Sequence, residues 1–387
     1  VLLREYGIQL TRAEQSIEAR RANAEESRVL EIGLGDPILQ ITRVTYNGYA
    51  GSQNAINVPD LMNARQFAEF KCVRLRTSAT QDCNAVLTPT ELRNLAAGVD
   101  VDWVGEATRT GHQQQHDFSF AGGSEETRYF VGGSLLDVAG VARGDNFDRA
   151  SARLNLDQRL SSWLRVGTST QGVRTNRGGT AASFAGAFYA NPLISPYDST
   201  GGVAVVPWGE DPTTNNALEG LGAVSEDVNR RLFSSNYVEA TFPFLKGLSY
   251  RLNAGIDIAD RNSGTYWGRN TSTGRPLNGR ANVSNTARFD WTLENILRYT
   301  RTFDRHTVDF TGLLSEQSNS LETRSSRAEG FPNDVLAFRG TNALLVVPDV
   351  DATDTRILSQ MGRLNYSYDS RYLVTLTTRR DGYSGFG

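Results

Sequence analysis

The sequence predicts an all-β chain forming about half of an antiparallel transmembrane β-barrel, with short turns on one rim and long loops on the other. Three observations carry this: a repeated period of two in apolar residues, a strict alternation of short and long connections, and aromatic residues gathered beside the short turns. In "ASARLNLDQRLSSWLRVGTST", Ala152, Leu154 and Leu156 share one parity, while Arg153, Asn155 and Asp157 share the other. The pattern resumes after a polar break with Leu164 and Val166, as a β-hairpin with one apolar and one polar face requires.

Near the start of the chain the rule is broken over residues 11–31. This stretch, "TRAEQSIEARRANAEESRVLE", is charged, favours helix and has no apolar stripe, so an isolated polar helix or disorder is expected. "ITRVTYNGYAGSQ" reads as the first strand and one edge of the sheet. In the link after it, "VPDLMNARQFAEF" and "LTPTELRNLAAG" read as short surface helices, the second with Thr88 as cap and Pro89 as first helical residue. Further hairpins turn near Ser124, at Lys246 and Gly247, after Tyr299, and at Asp369 and Ser370, ending with edge strand "RYLVTLTTRR". About eleven strands of roughly 9 to 15 residues result.

Long links are expected at about residues 54–112, 139–146, 175–231, 262–285 and 319–355, every second connection. A soluble sandwich would scatter its long loops, whereas outer-membrane barrels gather them on the extracellular rim and keep periplasmic turns short. Trp163, Phe242, Phe244, Tyr299, Phe303, Tyr366, Tyr368 and Tyr372 lie beside the short turns, as an interfacial aromatic belt would. The apolar face is therefore expected to touch lipid. Leu154, Leu156, Phe242, Phe244 and Ile256 should point outward, and Arg153, Asn155, Arg251 and Asn253 toward a wet lumen.

Composition narrows the function classes. The 40 basic and 43 acidic residues give a net charge of -3, too balanced to recruit nucleic acid. All the basic residues except Lys71 and Lys246 are arginines, a bias expected of a GC-rich genome. No run reaches the ~18 apolar residues of a membrane helix, and the mean hydropathy of -0.40 suits alternating barrel strands. Val1 follows no signal peptide and the chain stops on a strand-like pattern, so it reads as an internal piece.

No nucleophile elbow, phosphate loop or zinc-helix signature is present, so no catalytic residue and no cofactor is expected. His112 and His116 have helical ligand spacing but enter a strand pattern, and "DVDATD" from Asp349 lacks the glycine and glutamate of a calcium loop; both read as non-metal, the latter as a solvated acidic loop. Cys72 and Cys83, the only cysteines, either close a small disulfide loop on an oxidising surface or remain free thiols. For ligand contact, the loop aromatics Tyr189, Tyr197, Trp208, Tyr266 and Trp267 are candidates, with loop packing as the alternative for each.

"FSFAGGSEETRYFVGGSLLDVAGV", "YNGYAGSQNAINVPDLMNARQFAEF", "NPLISPYDSTG" and "RLNYSYDSRYLVTLTTRRDGYSGFG" resemble barrel segments of SusC/RagA-type TonB-dependent outer-membrane transporters, over roughly residues 38–387. The resemblance implies a barrel of about 22 strands, of which this would be the N-terminal half. It implies import of oligomers, glycans first and peptides second, with a SusD-like surface lipoprotein and the TonB complex as partners. TonB would act through a plug domain not visible in this chain, and residues 1–37 would be a divergent segment at the plug's end. A single-component siderophore receptor and a soluble β-rich adhesion module are the competing classes.

Overall fold

In a computed structural model, described for all residues except 1, 23, 30, 32, 79, 212, 213, 341 and 387, the chain forms one twelve-stranded antiparallel sheet in strict sequence order. The strands are β1 (Leu2–Arg21), β2 (Pro37–Ile56), β3 (Gly111–Gly123), β4 (Thr127–Ala139), β5 (Asn146–Arg159), β6 (Leu164–Asn176), β7 (Ala223–Thr241), β8 (Leu248–Trp267), β9 (Arg280–Phe303), β10 (His306–Glu329), β11 (Leu345–Tyr368) and β12 (Tyr372–Tyr383). Each pairs with its sequence neighbours, and the sheet is open between β1 and β12. This is a partial barrel and not a two-sheet sandwich, which removes the soluble adhesion module.

The register explains why one face is apolar. Residues directly opposite each other in antiparallel strands project to the same side. One such row runs Leu154, Thr170, Ser234, Ile256, Trp291. The adjacent row runs Arg153, Gln171, Phe233, Asp257, Asp290, Asn319, on the opposite side. Exposed Val131, Leu154, Val238, Phe289, Leu314 and Leu364 belong to the first side, so the expected alternation holds along the sheet. Buried residues gather instead in the connections and the strand ends that meet them, in one cluster around Trp103, Ala187 and Leu218 and another in which Tyr266 at the end of β8 packs on Phe331.

Three expectations are corrected. Residues 11–21 are strand, not helix or disorder: they complete β1, which pairs with β2 along its whole length, leaving only residues 24–29 as the short helix α1 (Ala24–Val29). The sheet edge is consequently β1, not "ITRVTYNGYAGSQ", which lies within β2. Asp349, Asp351 and Asp354 lie in β11, because their backbone pairs with β10 and an acidic run need not be a loop when the ladder is intact.

Strands also run longer than expected, up to 24 residues in β9, β10 and β11. A tilted strand needs only about 9 to 11 residues to cross a bilayer. The rest of each strand continues beyond that span, where the apolar alternation fades, as in "SSRAE" at the end of β10. Phe242 and Phe244 lie in the β7–β8 turn and not in β7; their rings sit 5.5 Å apart, still on the short-turn rim. The turn residues follow their backbone needs. Asp369 and Ser370 are left-handed, and Gly247 has φ +92° with Thr300's carbonyl where a Cβ would go.

Candidate functional site

The long connections carry local structure that fixes them over one rim. In the β2–β3 link, Asn63 caps helix α2 (Ala64–Leu75) and Thr88 caps helix α3 (Pro89–Ala96), each through a capping box, and α4 (Trp103–Ala107) follows. The β6–β7 link holds α5 (Phe184–Tyr189), whose Ala187 packs with Trp103, Val104 and Leu218 from both links.

A buried polar network joins the same links. Glu91 is fully buried, and both its oxygens accept from Lys71 Nζ at 2.8 Å. Oε1 also accepts from Asn191 Nδ2 at 2.7 Å and Oε2 from the Thr88 N–H at 2.8 Å. Asn191's carbonyl takes the Trp103 indole N–H at 2.8 Å, and Asn216 Nδ2 donates to the Pro196 and Ala204 carbonyls at 2.8 and 2.9 Å. These groups replace water for each other, so the two links form one rigid layer. Sequence reading missed Glu91 and Asn191; the capping box pointed to Glu91, but nothing local announced a partner a hundred residues away.

The aromatic candidates are scattered through this layer. Tyr189 ends α5 and is 91% exposed. Tyr197 is half-buried: its hydroxyl accepts from Arg143 at 3.0 Å and donates to Glu106 at 2.5 Å, so it ties the links together. Lys71 lies 5.5 Å from the centre of the Trp208 ring. Tyr266 is corrected as a ligand platform. It is 2% exposed, edge-on to Phe331 at 5.1 Å and bonded to Asp334 at 2.6 Å, so no ring face is free. Trp267 closes β8 beside it. Tyr266 and Trp267, as consecutive residues of β8, project to opposite sides of the strand, so the structure does not gather the five aromatics into one surface.

Cys72 of α2 and Cys83 are joined by a disulfide with Cα atoms 4.9 Å apart. His116 Nδ1 is 2.8 Å from the Tyr46 hydroxyl across the β2–β3 ladder, and no cluster of metal-ligating side chains occurs among the described residues. Two loop carboxylates are held below the usual carboxylate range. Asp198 accepts first from the Thr200 hydroxyl, at 2.6 Å, and Glu210 first from the Thr90 hydroxyl, at 2.6 Å.

The polar sheet face is a field of cross-strand ion pairs, including Arg251–Glu239 at 3.0 Å and Arg298–Asp309 at 2.8 Å, with Arg231–Asp257 in bidentate contact. Near the short-turn rim it also holds a hollow of about 450 Å³, open to solvent, lined by Arg153, Asn155, Ser169 and Tyr237 among others. Such a face is charged and hydrogen-bonding over successive strands, and among its described residues no nucleophile–base pair is seen.

A sequence model of the UTRA domain matches residues 1–51, which in this structure are β1 and most of β2. TonB-dependent receptor P3 of Formosa agariphila is 25% identical over 350 residues, covering 86% of this chain and 33% of the relative. TonB-dependent receptor SusC of Bacteroides thetaiotaomicron is 24% identical over 312 residues, covering 74% and 30%. The chain thus spans about a third of the length of these relatives. Its fold matches a chain of the RagAB peptide transporter at a TM-score of 0.71 and 22% identity, covering 89% of this chain and 42% of that one. In its open-open state the RagAB peptide importer matches at 0.67, covering 96% and 45%. The relatives carry the names of receptors and transporters, not of enzymes. Likeness in sequence over most of the chain, together with a shared fold, makes this chain a relative of SusC/RagA-type TonB-dependent receptors that carries part of a barrel of their kind.

Proposed function

We propose that the intact protein imports oligomeric nutrients across the outer membrane of a Gram-negative bacterium, driven by TonB and working with a SusD-like surface lipoprotein. Residues 38–387 belong to the N-terminal half of its barrel, to which β1 (Leu2–Arg21) adds a further strand. The observation that carries this reading is the register itself, which keeps one face apolar and the other charged over successive strands while the long loops gather on one rim. Glycans are the first substrate class and peptides the second. Likeness to TonB-dependent receptor SusC supports the TonB-dependent part of the reading, and likeness to the RagAB peptide transporter keeps peptides in the test.

Deleting the gene in its host and following growth and labelled uptake on defined oligosaccharides and peptides tests the reading. Uptake of one class should fall, and fall equally when TonB is inactivated or the neighbouring lipoprotein gene is removed. Uptake of both classes that survives all three deletions rules the reading out.

A further inference from the structure

On the polar face most strand arginines have a carboxylate: Arg231 has Asp257, Arg251 has Glu239, Arg288 has Asp290, Arg298 has Asp309 and Arg379 has Asp381. The hollow between β4, β5, β6 and β7 brings together two that have none. Arg128 and Arg153 line it, and neither has a carboxylate partner among the described residues. Arg153 Nε reaches only the Asn155 side-chain oxygen, at 3.3 Å.

The hollow's one carboxylate is already occupied. Asp157 stands directly across the ladder from Arg128, yet it accepts from the Tyr237 hydroxyl and lies 3.8 Å from Arg165. Two arginines therefore line the hollow with a single carboxylate that a third arginine and a tyrosine already engage, an excess of positive charge. Tyr237's ring is itself covered by Arg251 at 4.0 Å, which holds it in place as a wall. Further along the same face of β5, Arg149 has a buried Nε with no hydrogen-bond partner. Unmatched arginine forks beside a side-chain amide donor are what a bidentate carboxylate fits.

We propose that this hollow is an anion site that takes a carboxylate between Arg128 and Arg153, with the Asn155 side-chain amide, whose oxygen accepts from Ser169 at 2.8 Å, turning its N–H groups to the carboxylate's polar neighbours. The carboxylate belongs either to an acidic oligomer passing along the lumen or to another segment of the same polypeptide. The site stands on the geometry alone; its use by a solute rests also on the transport reading.

The test compares the full-length protein, purified in detergent, with R128Q/R153Q and with R128K/R153K, which keeps the charge. Hexagalacturonic acid and neutral maltohexaose serve as probes by calorimetry, alongside melting temperature. If a solute is the source, wild type binds the acidic probe, R128Q/R153Q weakens it roughly tenfold or more, R128K/R153K weakens it less, and any maltohexaose binding is unchanged. If the polypeptide is the source, the acidic probe does not bind, and R128Q/R153Q melts lower while R128K/R153K melts nearer wild type. A double glutamine variant that binds and melts like wild type overturns the site. Loss of TonB-dependent uptake of every oligomer, with the arginine effects intact, would instead sink only the transport reading.

Discussion

At Glu91 the charge of one side chain decides whether two loops hold together. The carboxylate is fully buried, and Lys71, itself largely buried, is its only cation among the described residues. Removing one member of such a pair leaves an uncompensated charge in a low-dielectric site, at a cost of about 3 to 5 kcal/mol. Lys71→Met should therefore lower the denaturation midpoint of the intact protein more than Lys71→Met combined with Glu91→Gln, which removes both charges. Equal midpoints would show that the pair is solvated. Gly247 is the other residue at which the backbone leaves little choice. Its positive φ and the Thr300 carbonyl beside it leave no room for a methyl group, so Gly247→Ala should cost about 1 to 3 kcal/mol and reduce the yield of folded protein. An unchanged melting curve and yield would show that the turn can relax.

Among the elements, the loop layer is stapled in two ways that respond to different conditions. The bond between Cys72 and Cys83 closes a short loop between α2 and the chain leading to α3, so Cys72→Ser with Cys83→Ser should lower local stability by about 2 to 3 kcal/mol. Hydrogen exchange in α2 should rise under oxidising conditions, and exchange identical to wild type would mean the thiols do not bond. The contact between Glu210 and Thr90 responds to pH. A carboxyl held below its ordinary value by a hydrogen bond stabilises the folded form above the ordinary pKa and loses that contribution as pH falls through the lowered one. The Thr90 amide signal should thus stay constant down through the usual carboxylate range and shift only below it; a shift centred at the ordinary value would contradict the bond. These elements also show what could be read in advance. Leu154 against Arg153, the turn at Asp369 and Ser370, and the Thr88–Pro89 helix start were legible because each depends on neighbours in sequence. Missed were β1, whose strand state depends on pairing with β2, and the Glu91 network, whose members lie up to 100 residues apart.

For the whole molecule, the division into two faces is a claim about solvent. Leu314 and Asn319 sit on the same strand, β10, on opposite parities, both exposed in this structure, and they differ in what the assembled barrel would put against them. Across the ladders Leu314 faces Asn295 and Gln360, on the side shared with Phe310, Leu364 and Tyr299. Asn319 faces Asp290 and Thr355 on the charged side, where a new guanidinium meets a carboxylate. If the apolar side touches lipid, Leu314→Arg places a charge in hydrocarbon and should cost about 2 to 4 kcal/mol near the bilayer midplane. Asn319→Arg, in a hydrated lumen, should cost nearly nothing. Unfolding the intact protein from lipid bilayers with urea measures both. The comparison is informative because the two substitutions add the same side chain to the same strand, so helix or strand propensity and unfolded-state effects are nearly matched. Equal costs, or a larger cost for Asn319→Arg, would mean that the apolar side is buried against protein and that the sheet does not present it to a membrane.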